Sequence, residues 1–123
     1  MKPNWIAIGC ASGALAVVLG AFGAHALKER VGADELEIWK TAVQYQMLHA
    51  LALVLFGLFR ERRASSAAPG WCFAVGSAIF SGTLYAIVLG GPRVLGAVTP
   101  VGGVLMIGGW ILFALQAARR PVT

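Results

Sequence analysis

Four stretches of this sequence carry no Asp, Glu, Lys or Arg: Trp5 to Leu27, Thr41 to Phe59, Ala64 to Pro92 and Val94 to Ala118. A helix needs about 20 apolar residues to cross the hydrocarbon layer of a bilayer, and each stretch meets or nearly meets that length. None alternates with a period of two, so a membrane β-barrel is a poor fit. A soluble bundle would need polar outer faces, and only 12% of the residues are charged, against about 25% in ordinary soluble domains. The sequence therefore predicts an all-α, four-helix transmembrane bundle with up-down-up-down topology. It forms a single integral membrane domain over residues 1–123, with spans near 5–27, 39–59, 70–89 and 100–118.

This excludes an ordinary cytosolic enzyme and a disordered tail. The net charge of +5 does not point to nucleic acid, because the basic residues sit in the breaks between apolar runs. That placement serves a lipid surface and membrane topology. With four spans, Lys2, Arg60, Arg62, Arg63, Arg119 and Arg120 fall on one side, and Lys28, Arg30, Lys40 and Arg93 on the other. The richer side is expected in the cytoplasm, which places both termini there.

Local signals set the expected boundaries. Asn4 is a cap for the first helix, and Gly32 a C′ residue ending it after Val31. Asp34 with Glu37 reads as a capping box starting helix two near Glu35. Pro69 and Gly70 mark the entry to helix three, and Gly90, Gly91 and Pro92 its exit. Thr99 before Pro100 reads as an N-cap with proline in the first turn, so helix four is expected from Pro100 to about Ala118. Trp5, Trp39 and Trp71 start their spans, where an aromatic belt is expected, while Trp110 lies deep in helix four. Ala24-His25-Ala26 imitates a signal-peptide cleavage site, but the preceding apolar run is too long, so an uncleaved first span is expected. Cys10 and Cys72 are expected as free thiols that serve packing.

Gly9, Gly13, Ala16, Gly20 and Gly23 recur at steps of three and four, which lays a groove of small residues along helix one for close helix packing. The sequence leaves open whether that groove faces the same chain or another copy. Gly70, Ala74, Ser77 and Ser81 form a similar stripe on helix three. Helix two carries the unusual polar set. Thr41, Tyr45 and His49 share a face, flanked by Gln44 and Gln46, and polar groups inside a span must face the bundle and find partners. Interhelical hydrogen bonding is the plain reading, and a small-ligand, lipid-headgroup or proton-handling site the sharper one. At a rise of about 1.5 Å per residue, His25 lies roughly 3 Å and His49 roughly 15 Å below one boundary, a poor pair for one metal or haem. No metal site, cofactor or catalytic residue is expected: no carboxylate falls within a span, and no phosphate loop, nucleophile elbow or zinc motif is present. Arg60, Arg62 and Arg63 form a cluster suited to topology or to anionic headgroups.

Two strings carry more than composition: LGAFGAHALK, Leu19 to Lys28, and WKTAVQYQMLHALAL, Trp39 to Leu53. With the length and four spans, they resemble the small membrane-protein family known as domain of unknown function 423. The resemblance implies a bacterial inner-membrane location, or a mitochondrial one in a eukaryote, and it supplies no activity. It directs attention to His25, Gln44, Tyr45, Gln46 and His49, which lie inside the matching strings.

The expected function is non-enzymatic: an accessory or scaffold protein that self-associates or joins a membrane complex. Its expected partners are membrane lipids and a second copy or another membrane protein, with no nucleic acid. The alternatives are a small transporter or channel using the polar face of helix two, and a lipid- or quinone-binding protein.

Overall fold

The computed structural model describes residues 2–119 and contains four long helices joined by short connections. They are α1 (Trp5–His25), α2 (Ala33–Arg62), α3 (Ala68–Val88) and α4 (Leu95–Ala118), with one 3₁₀ turn, Leu27–Glu29, after α1. All four are long and apolar enough to cross a membrane. Among the described residues there is no strand. Arg120, counted in the charge balance, lies outside the described residues.

Side-chain contacts make every consecutive pair antiparallel. Gly9 lies against Ala50 and Val54 while Gly23 lies against Trp39. Across α2 and α3, the Ser81 hydroxyl donates to the Ala42 carbonyl at 2.7 Å, and His49 meets Phe73 further along. Across α3 and α4, Gly76 faces Gly102 and Phe73 faces Gly109. Packing follows chain order, α1 on α2, α2 on α3 and α3 on α4, so α2 and α3 form the inner pair. The small-residue groove of α1 faces α2. A Cβ at Gly9 would stand 2.7 Å from the Ala50 carbonyl oxygen, so the two backbones are in direct contact there. The seam between α3 and α4 is tighter still, since a Cβ at Gly102 would lie 2.5 Å from the Phe80 nitrogen. In lipid, where no hydrophobic effect drives helices together, this closeness supplies the van der Waals contact that holds them.

Asn4 caps α1 as expected, its Oδ1 accepting the Ala7 N–H at 3.0 Å. Three other boundaries differ from the local signals. The chain leaves α1 after His25 rather than after Val31, because Leu27 folds under the bundle against Trp39 and Val88. Gly32 then serves as the N-cap of α2, with φ −72°, so its freedom to adopt positive φ goes unused. The Asp34–Glu37 capping box does not form: α2 already begins at Ala33, and Asp34 and Glu35 instead add negative charge to its first turn, where the helix dipole favours it. Helix four starts at Leu95, five residues before Pro100. Thr99 is therefore no N-cap. Its hydroxyl donates to the Leu95 carbonyl at 3.1 Å and pairs with Thr83 of α3 at 2.6 Å, which fixes an extra helical turn ahead of the proline.

The tryptophans divide as well. Trp71 is exposed at its span's start, but Trp5 and Trp39 are only 3% and 2% exposed. Each rests on a glycine of a neighbouring helix, Trp5 on Gly70 and Trp39 on Gly23. A glycine lets a large ring lie directly on the opposing backbone, so these two rings close the ends of the bundle rather than join a belt at the lipid surface.

Candidate functional site

The polar set of α2 does not converge on one site. Gln46 and His49 flank the line of contact between α2 and α3, and they reach out to opposite outer helices. Gln46, 7% exposed, donates from Nε2 to the Ser12 carbonyl of α1 at 3.0 Å, and its Oε1 accepts the Tyr85 hydroxyl of α3 at 2.6 Å. One amide thus ties three helices, using both its donor and its acceptor end.

This knot forms the floor of a groove between α1 and α3. The groove encloses about 430 Å³ and is walled by Ile8, Leu15 and Leu19 on one side and by Ala78 and Gly82 on the other. That volume falls within the range of small-molecule sites, about 300–1,000 Å³. Elsewhere between the same helices Trp5 lies on Gly70, with Trp71 edge-on at 5.2 Å, and Tyr85, a lining residue, packs against Trp39 at 4.6 Å. The groove is partly open to its surroundings.

His49, 4% exposed, belongs to a different cluster. The Trp110 indole N–H of α4 donates to His49 Nε2 at 3.1 Å, and His49 Nδ1 lies 2.7 Å from the Tyr45 carbonyl. An indole nitrogen only donates and a carbonyl only accepts, so Nε2 must accept and Nδ1 must carry the proton. Both ring nitrogens are then spent. Phe73 and Trp110 rings pack on the imidazole at 5.8 and 5.9 Å, and Tyr45 stacks beside it at 6.3 Å.

The remaining candidates stand apart. Thr41 bonds within its own helix, donating to the Glu37 carbonyl at 3.0 Å. Gln44 and His25 are exposed, His25 at the last residue of α1, so it does not join His49. Among the described residues no group of three His, Cys, Asp or Glu is placed to hold a metal ion. Cys10 and Cys72 are free.

The arginine cluster divides too. Arg60 donates to the Ser65 carbonyl at 2.9 Å, and Arg63 donates to the carbonyls of Ala117 and Arg119, where its charge meets the negative end of α4. Arg62 stays exposed. Two of the three arginines therefore fasten the α2–α3 connection and the end of α4.

Sequence reasoning missed Ser12, Tyr85 and the Thr83–Thr99 pair. Their signal was depth: each is a polar residue inside an uncharged run, facing another at the same level of an antiparallel neighbour.

Residues 19–103 match the family described as a protein of unknown function, DUF423. The chain is 40% identical over 116 residues to the UPF0382 membrane protein SAB0533 of Staphylococcus aureus, covering 94% of this chain and 95% of that one. It is 38% identical over 118 residues to the UPF0382 membrane protein YwdK of Bacillus subtilis, covering 94% and 96%. It is 40% identical over 114 residues to the UPF0382 inner membrane protein YgdD of Escherichia coli, covering 88% and 84%. No solved structure matches the chain.

Proposed function

The chain belongs to the DUF423 family of membrane proteins, and from that premise we propose that it is a non-enzymatic bacterial inner-membrane component acting through its helix surfaces, as a scaffold or accessory protein. It self-associates or joins a larger membrane complex, with both termini in the cytoplasm. The observation that supports this reading is how the interior spends its polar groups. Gln46, His49, Ser81 and Trp39 all bond to neighbouring helices, Trp39 by donating to the Leu19 carbonyl at 2.8 Å. Chemistry consumed in holding helices together leaves the outer faces to do the work. Those faces are broad: Val17, Val18, Val104 and Ile107 are all more than half exposed on the two outer helices.

The α1–α3 groove favours a second reading, the binding of one apolar chain from a lipid or quinone. A transporter or channel has less support, because it needs a wet cavity reaching His49, and His49 is 4% exposed with both ring nitrogens engaged. Native mass spectrometry of protein extracted gently from its own membrane separates the first two readings. A defined oligomer or a retained protein partner is the expected result. A monomer with no protein partner overturns the scaffold role. If that monomer carries one apolar molecule that Gly82→Leu abolishes, the groove is the functional site, since nothing lies within 4 Å of a Cβ at Gly82 and the leucine enters open space.

A further inference from the structure

A second cleft belongs to neither the groove nor the histidine cluster. It lies where α1 begins, beside the last turns of α2, and encloses about 420 Å³ lined by Lys2, Trp5, Ile6, Gly57, Arg60 and Glu61, among others. Gly57 brings the α1 start down onto α2, since a Cβ there would stand 2.6 Å from Ile6 Cγ1 and 2.9 Å from the Ile6 nitrogen.

Three features of this cleft suit a phosphate group. Arg60 is held in place by its bond to the Ser65 carbonyl, and its planar guanidinium has further N–H donors. Lys2 adds an exposed ammonium. The cleft sits at the first turn of a 21-residue helix, where the positive end of the dipole favours an anion. Glu61 opposes these features from the same wall, and it forms no ion pair with Lys2 or Arg60. The cleft stands at the end of the spans, level with lipid headgroups rather than lipid chains.

We propose that this cleft binds the headgroup phosphate of an anionic membrane phospholipid. Lys2 and Arg60 pair with the phosphate oxygens, and Glu61 tunes the affinity downward. The test uses the full chain in mild detergent, titrated with phosphatidylglycerol or phosphatidylcholine and read by native mass spectrometry. Wild-type protein is expected to retain phosphatidylglycerol in preference to phosphatidylcholine. Lys2→Gln is expected to weaken phosphatidylglycerol about fivefold and Glu61→Gln to tighten it about fivefold, one charge each near the membrane surface. Both residues are exposed, so neither change threatens the fold. Equal affinity in all three proteins overturns the proposal. Millimolar inorganic phosphate supplies the remaining arm. If it displaces the lipid from wild-type protein and raises the thermal midpoint of wild type but not of Lys2→Gln, the cleft is a free-phosphate site and the lipid assignment falls.

Discussion

Gln46 and His49 lie three residues apart on one helix, yet they serve different parts of the bundle. Gln46 ties α1 and α3 to α2 with short bonds from both ends of its amide, and it borders an open groove. His49 makes one bond to α4 through a half-exposed indole, and aromatic rings cover it. The difference teaches that a polar residue inside a membrane span is first a tie, and that its neighbourhood decides what else it does. A tie beside a groove sets the shape of a binding space. A tie enclosed by rings sets only the position of a helix.

Three substitutions break or sharpen this contrast. Gly102→Val has the largest expected effect, because its Cβ meets the Phe80 and Gly76 backbones, which have nowhere to move. The expected cost is about 3 kcal/mol or more, the upper end for overpacking. It displaces α4, so the Trp110 bond to His49 is lost while the Gln46 knot on the other side survives. Unfolding by steric trapping in bicelles, with Trp110 fluorescence alongside, checks this; loss of both sites together would mean that the two halves are not independent.

Gln46→Leu comes next. It removes two interhelical bonds and strands the Tyr85 hydroxyl, costing about 1–2 kcal/mol. Adding Tyr85→Phe is expected to recover part of that loss, since replacing both partners of a buried bond costs less than replacing one. A double variant no more stable than Gln46→Leu in the same assay would show that the Tyr85 hydroxyl is not left stranded.

The smallest effect is expected for His49→Leu, about 0.6 kcal/mol for its single interhelical bond. Its clearer sign is spectroscopic: the freed Trp110 indole should emit at shorter wavelength. A cost equal to that of Gln46→Leu would erase the distinction between the two ties.

Much of the fold was legible because spans depend on composition alone. Four uncharged runs have one answer in a bilayer, where every backbone group must be bonded within the segment. Boundaries were less legible. Gly32, Asp34 and Thr99 carry correct local signals, but burial of Leu27 and the Thr83–Thr99 pair override them. The polar residues of α2 were visible too, since a glutamine or histidine in an apolar run stands out. Their division into two clusters was not, because it depends on how far α2 is rotated against α3.

The sequence by itself determined that this chain crosses a membrane four times, that its helices pack through small residues, and that α2 carries the polar interior. Those follow from hydrophobicity and spacing, which each helix possesses alone. Only the tertiary structure decided that the glycine groove of α1 faces α2, that Trp5 and Trp39 close the bundle ends, and that Gln46 and His49 part company. Each of these depends on which side chain meets which backbone across a seam. Helices free to rotate and slide in lipid find that answer only when they pack.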